Sequence, residues 1–212
     1  MNRAAFLARV RQALGRAEGD PVAPPPPPAA GHVVAPSMAG VGPAVVLDRF
    51  LERCAANGVE VRRAPDAEAA VPLAAGWLRE LGVSAVADAT PLAASVVAAS
   101  GMVSTDAAAS TDAAASDIGV THAWRGVAET GTVVLRSEDG RLAGLLPPVH
   151  LVLLAAEDLR PGLTEVYTDL ADQGGPPAAL IQVTGPSRTA DIEVTLVTGV
   201  HGPGTVAVLL IG

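Results

Sequence analysis

Two short segments, Thr184-Gly-Pro-Ser-Arg-Thr-Ala-Asp-Ile-Glu193 and Gly199-Val-His-Gly-Pro-Gly204, gather glycine, hydroxyl, guanidinium, carboxylate and imidazole groups. The first follows the apolar run Ala178-Ala-Leu-Ile-Gln-Val183, so its polar residues fall where a buried strand should end. In open α/β sheets, ligands bind outside the carboxyl ends of strands. The segment reads as strand, tight turn, helix. Gly185 permits the turn and Ser187 suits an N-cap. The free amides of the first helical turn then favour an anion. Arg188 and the Thr189 hydroxyl add charge and donors. Asp191 either joins that ligand-binding set or, like Glu193, pairs with Arg188 on an ordinary capped helix.

His201 stands among three glycines and a proline, which call for unusual dihedrals or a close approach. It is placed to bond a ligand or shuttle a proton, or to fix the turn through backbone carbonyls. Val127-Ala-Glu-Thr-Gly-Thr-Val-Val-Leu135 puts Glu129 just before an apolar strand. Thr130-Gly131 marks a bulge or a spot where a ligand meets the backbone. Glu129 suits a general base, a nucleophile or a ligand anchor, and equally a partner for loop amides. His150, at the entry to the next strand, either faces the cleft or is a satisfied strand-start residue. His122 and Trp124 precede Glu129 and are candidates for the same pocket. No histidine pair has helix-spaced ligand geometry, so no metal site is expected.

The elements that must hold these residues follow from the apolar pattern. Within 212 residues, half of them hydrophobic, one sizeable α/β domain can bury a core. Helices are expected over 45–57, 67–81, 106–116 and 163–172. Strands are expected at 59–61, 84–87, 95–99, 118–121, 132–136, 150–155, 178–184 and 205–211. This alternation predicts a largely parallel sheet flanked by helices on both faces. The hexamer Thr105-Asp-Ala-Ala-Ala-Ser110 recurs at once as Thr111 to Ser116, a low-complexity helix or loop. The organisation reads as an N-terminal amphipathic helix over 1–16, a Pro-rich polyproline II linker over 17–42, and an α/β domain over 43–212. Phe6, Leu7, Val10 and Leu14 make the stripe of that first helix, which docks on the body or on a neighbouring subunit, leaving a homo-oligomer open.

Composition excludes several functions. The 14 positions counted as Lys plus Arg are all arginine, which rules out a Schiff-base or P-loop lysine. A formal charge of −8 argues against binding nucleic acid through phosphates. The single cysteine, Cys54, makes no disulfide, zinc finger or iron–sulfur site within the chain, and reads as a small buried residue on a helix. The apolar runs are too short to span a bilayer, and the N-terminus has no signal-peptide h-region. The expectation is a cytoplasmic protein.

Asp117-Ile-Gly-Val-Thr121, Ala128-Glu-Thr-Gly-Thr132, Leu145-Leu-Pro-Pro148, Thr184-Gly-Pro-Ser187 with Ala190-Asp-Ile-Glu193, and Gly199-Val-His-Gly-Pro203 resemble, in order and spacing, the LUD-domain family in its lactate-utilization protein C (LutC) branch. The resemblance covers about Ala67 to Ile211. It implies a fold like that of ribose-5-phosphate isomerases and CoA transferases, and a role in oxidising L-lactate to pyruvate. It further implies two partners, an iron–sulfur LUD protein and a cysteine-rich protein, which carry the clusters. This chain, without cluster cysteines, looks like the cluster-free component with no cofactor of its own. Its small carboxylate or phosphorylated ligand would then sit at the strand-end loops. Whether the chain is itself an enzyme stays open. One alternative is a stand-alone isomerase or CoA transferase using Glu129, an analogy of fold alone. The other is a metabolite-sensing regulatory module.

Overall fold

The structure, a computed structural model, describes residues 3–16, 40–81, 84–87, 90–105, 110–139, 142–173, 177–190 and 196–212. The chain falls into two units, Met1–Pro36 and Ser37–Gly212. In the first, α1 (Arg3–Ala13) is the described element, with Phe6, Leu7, Val10 and Leu14 all exposed. Most of the Pro-rich linker, with His32, lies outside the described residues.

In the second unit, α2 (Pro43–Asn57) begins with proline in its first turn and ends at Gly58, with φ 78°. The Gly58 and Val59 amides bond to the Ala55 and Cys54 carbonyls at 3.1 and 2.9 Å. A residue without Cβ holds that left-handed closure at least cost. Val46, Phe50 and Cys54, spaced at four residues, form its buried stripe. β1 (Glu60–Ala64) leads to α3 (Ala67–Leu81), whose first turn is capped by Asp66 Oδ1 accepting the Ala69 amide at 2.8 Å.

β2 (Ser84–Ala87) precedes α4 (Pro91–Ser100). The strand expected at 95–99 is therefore helix. Pro91 opens it, Gly101 at φ 69° closes it, and Ala93, Val96, Val97 and Ser100 form one buried face. Those start and stop signals, with the 3–4 spacing, outweigh the β-preference of two valines. β3 (Val103–Thr105) and α5 (Ser110–Ala115) follow; 106–109 of the expected helix lie outside the described residues. The chain continues as β4 (Ile118–His122), β5 (Arg125–Val127), β6 (Thr132–Arg136), β7 (Val149–Ala155), β8 (Leu159–Arg160) and α6 (Leu163–Asp172). It ends with β9 (Leu180–Val183), β10 (Arg188–Ala190), β11 (Leu196–Thr198) and β12 (Thr205–Ile211).

Six strands make a parallel sheet in the order β1-β12-β7-β4-β2-β3. A smaller mixed sheet has the order β8-β5-β6-β9, and β10 and β11 form a hairpin. Alternation along β7 and β12 sorts the core. Leu151, Leu153, Ala207 and Leu209 meet Trp77, Leu78 and Val96 of α3 and α4. Val152, Leu154, Val208 and Leu210 meet Phe50 and Cys54 of α2 and Val133 and Leu135 of the small sheet. The main sheet is thus covered on both faces, by α3 and α4 on one and by α2, α5 and a second sheet on the other. Each fully buried leucine or valine in these layers contributes about 1.5–3 kcal/mol.

One feature of the strand order positions a site. From β2 the chain moves outward to β3, then returns past β2 to β4. The two connections lie on opposite faces: Val96 of α4 packs with Ala85, whereas Ala113 of α5 packs with Val86. The carboxyl ends of β2 and β4 therefore flank a topological switch point, where open α/β sheets form crevices.

Candidate functional site

A cleft of about 350 Å³ opens at that switch point. It is lined by Thr90 after β2, His122 at the end of β4 with Ala123, Trp124 and Arg125 beyond it, Arg136 at the end of β6 with Asp139 beyond it, and Asp158 after β7. Here the chain passes from one sheet to the other. The Ala123 amide bonds to Leu153 O of the main sheet at 2.8 Å, and the Trp124 amide to Val134 O of the small sheet at 2.9 Å. The crossing puts polar side chains at the rim while both ladders stay satisfied.

Arg125 is clamped. Its Nε donates to Asp169 Oδ2 at 2.6 Å, and its Nη1 donates to Asp158 Oδ1 at 2.6 Å and Trp124 O at 2.8 Å. Arg160 Nε reaches the same Asp169 oxygen at 2.8 Å. Burial pushes the Asp158 carboxyl above the usual aspartate range, outweighing Arg125 and Arg160. At Asp169 burial acts upward too, but hydrogen bonds from Arg125 and Arg160 win and hold that carboxyl low. The Arg125 and Arg136 guanidinium carbons lie 4.6 and 5.5 Å from the centre of the Trp124 ring, a cation–π geometry that fixes two positive groups on one wall. The lining sets the guanidiniums of Arg125 and Arg136, the His122 imidazole and the Thr90 hydroxyl, groups that suit a small carboxylate or phosphate, beside the carboxylates of Asp139 and Asp158. The sequence grouped His122 and Trp124 with Glu129; both line this cleft, but Glu129 is not on its lining, and Arg125, Arg136, Asp139, Asp158 and Thr90 were not singled out. They come from separate strand ends, and no local spacing joins them.

The sequence motifs gather at the other end of the main sheet. The Ser187 amide bonds to Pro203 O at 2.8 Å, Gly199 N to Ser187 O at 2.9 Å, and Gly204 N to Pro148 O at 2.9 Å. Pro148 and Gly204 immediately precede β7 and β12, so these loops sit at strand amino ends. The segment after Ser187 is not the expected helix. It is β10, paired antiparallel with β11 from Arg188↔Thr198 to Ala190↔Leu196. No helical turn follows Ser187 for its hydroxyl to cap: its amide bonds to Pro203 O, its carbonyl accepts the Gly199 amide, and the next three residues are strand. Thr189 belongs to β10, and Asp191 lies outside the described residues.

Arg188 Nη2 donates to Asn57 O at 2.7 Å, and Asn57 Nδ2 donates to Thr130 O at 2.8 Å. Hydroxyls of Thr130, Thr132 and Thr184 follow one another at 2.7 and 2.8 Å. Thr130, Gly185 and Arg188 are thus brought together around the end of α2. A shallow cleft of about 390 Å³ there is lined by Asn57, Gln182, Thr184, Gly185, Pro186 and Arg188. His201 is exposed in an adjoining cleft with Leu145, Leu146, Pro148 and Val200.

Glu129 is on the lining of neither cleft. Its amide bonds to Pro161 O at 3.0 Å, and its carboxylate lies against Gly162 at the start of α6, beside Glu165, which accepts the Gly162 amide at 3.0 Å. A carboxylate there favours the helix N-terminus. Gly131, at φ 69°, is closed to a ligand: a Cβ on it would come within 2.8 Å of the Arg53 carbonyl carbon and the Cys54 nitrogen. The close approach the sequence signals is made by α2.

His150 is fully buried, and burial pushes its imidazole down to about 4. Its Nε2 shares a hydrogen bond of 2.7 Å with the Thr121 hydroxyl, while Nδ1 has no partner. The turn at 142–145 seals it, and Gly119 makes room for that turn, since a Cβ would sit 1.6 Å from Ala143 O. Cys54 is buried, its thiol pushed up to about 12 by burial. Among the described residues no cluster of three metal-binding side chains occurs, and no helix is long and apolar enough to cross a membrane.

The solved structure of a DUF162 family protein from Deinococcus radiodurans superposes with a TM-score of 0.60 at 20% identity, over 81% of this chain and 99% of that one, and so shares the fold. A lactate utilization protein C from Bacillus licheniformis is 38% identical over 102 residues, 45% of this chain and 42% of the relative. Its namesake from Bacillus subtilis is 35% identical over 102 residues, again 45% and 42%, and that from Halalkalibacterium halodurans 40% over 94 residues, 42% and 41%. Each match thus spans less than half the relative's length. The LUD domain family matches residues 47–211, from α2 to the end of β12. The chain belongs to the LUD domain family.

Proposed function

We propose that this chain serves a lactate-utilization system and binds a small carboxylate in the cleft at the β2–β4 switch point. The observation that carries this reading is the similarity to proteins named lactate utilization protein C, 38% identical in the first case. The cleft supports it with a cationic, hydroxyl-bearing wall held in place by the Arg125–Asp158–Asp169 clamp. In this reading the chain is the cluster-free component. One buried cysteine cannot bind an iron–sulfur centre, so the electrons of lactate oxidation pass through clusters in partner proteins. The chain's part is to bind and orient the acid or its product.

The test is lactate-dependent dye reduction by the reconstituted iron–sulfur and cysteine-rich partners, with and without this chain. Dependence on the chain, lost with Arg136→Ala, supports the reading. Reduction indifferent to the chain overturns it.

A further inference from the structure

The cleft at the end of α2 has a lining unlike that of the switch-point cleft. Asn57, Gln182, Thr184, Gly185, Pro186 and Arg188 bring one cation and no carboxylate, whereas the switch-point cleft sets two arginines beside two aspartates. Arg188 spends little of its capacity. Its Nη2 donates to Asn57 O at 2.7 Å, and the guanidinium makes no other hydrogen bond or ion pair among the described residues. Nη2 carries two hydrogens. Whichever of them Asn57 takes, the other still stands beside an N–H of Nε or Nη1, so one complete bidentate edge is left. Two glycines make room for this arrangement. A Cβ on Gly58 would lie 3.0 Å from Arg188 Nη2, and one on Gly185 3.0 Å from Asn57 O. The carbonyls of Asn57, Ala55 and Cys54 are taken by Arg188, Gly58 and Val59, which blunts the negative end of the helix.

Thr184 adds a hydroxyl to this edge. The Thr130, Thr132 and Thr184 hydroxyls share two hydrogen bonds, of 2.7 and 2.8 Å. Three hydroxyls bring three protons, so one is left over at an end of the chain. An anion beside Thr184 draws it there, because the bonds then run from Thr130 through Thr132 to Thr184 and outward. The Gln182 amide reaches Tyr167 Oη at 3.4 Å with one N–H and keeps a second. A carboxylate is satisfied by the guanidinium edge alone. A phosphomonoester, with three terminal oxygens, also uses the hydroxyl and the amide. We propose that this cleft binds the phosphate group of a small phosphomonoester, at a second site independent of the switch-point cleft.

Calorimetric titration of the full chain with inorganic phosphate, methyl phosphate and acetate, at constant ionic strength, tests it. Both phosphates are expected to bind once per chain, and acetate about tenfold or more weaker. Methyl phosphate should match the inorganic ion, because its methyl group can point out of the shallow cleft. Arg188→Ala should weaken both phosphates about tenfold or more, and Arg188→Lys, which keeps the charge without the edge, should fall between. Thr184→Val keeps the shape, removes the hydroxyl and should cost about threefold, which carries the test even if the alanine variant folds poorly. Arg136→Ala, in the other cleft, should bind phosphate as the unaltered chain does. Absence of phosphate binding overturns the site, as does binding that survives Arg188→Ala or Thr184→Val undiminished, or that is lost in Arg136→Ala. Acetate bound as tightly as phosphate, or methyl phosphate not bound at all, overturns the phosphomonoester as its ligand.

Discussion

Arg188 sets a guanidinium nitrogen 2.7 Å from the carbonyl oxygen of Asn57, the last residue of α2. Carbonyls of a final helical turn lack partners within the helix, and a cation there also complements the helix dipole. Arg188→Ala is expected to cost about 1 kcal/mol or less, because the site is exposed. Arg188→Lys should recover part of it. Urea denaturation midpoints of the three proteins measure this, and a neutral alanine variant would show that the contact stabilises nothing.

Gly131 combines a left-handed backbone with the closest helix approach in the motif segments. Gly131→Ala pays for the positive φ and forces α2 away from the β5–β6 turn, together about 2–4 kcal/mol. Thermal unfolding of Gly131→Ala should show a clear drop in Tm. An unchanged Tm would mean that α2 yields freely, contrary to the packing of Phe50 and Cys54.

Asp169 holds Arg125 and Arg160 from one oxygen, at 2.6 and 2.8 Å. Asp169→Ala leaves two guanidiniums partly buried with less compensation, and about 2 kcal/mol of stability should be lost. Because Arg125 reaches the cleft wall, the variant should also weaken binding of L-lactate, read by calorimetric titration. Loss of stability with binding intact would confine Asp169 to holding α6.

His150 predicts a pH dependence. Its folded value near 4 lies below the ordinary 6.5, so between those values the unfolded chain binds a proton that the folded chain does not. Stability from this group is complete above about pH 6.5 and falls as pH drops toward 4, by about 3 kcal/mol in all. Denaturation midpoints at pH 7, 5.5 and 4.5 should fall more steeply for the unaltered protein than for His150→Gln. Parallel curves would show that the imidazole protonates without unfolding its surroundings.

Much of the framework was legible because its signals are local. The apolar spacing of Ala67–Leu81 and Leu163–Asp172, and the runs Ser84–Ala87, Thr132–Arg136 and Thr205–Ile211, match the observed elements. Cys54 was readable as a buried helix residue. The failures are equally specific. Val96 and Val97 suggested a strand, although Pro91 and Gly101 already framed a helix. Ser187 suggested a cap, but its partners Pro203 and Gly199 lie beyond any local window. The motif loops do meet one another, but at strand amino ends, because β9 belongs to the small sheet and not to the main one. Of the cleft only His122 and Trp124 were flagged, and with Glu129, which does not line it. Its arginines and aspartates meet only after β6 and β7 have taken their places.

The neighbours of β12 set the order in which the molecule can be assembled. Glu60 of β1 pairs with Ala207, and Val149 of β7 pairs with Thr205, so both earlier strands wait for a segment synthesised long after β1. Such distant pairing closes slowly. Until it happens, β1 and β7 present open edges to other chains. During translation the nascent protein therefore carries two aggregation-prone strands at once. A product cut short before Thr205 leaves both edges uncovered.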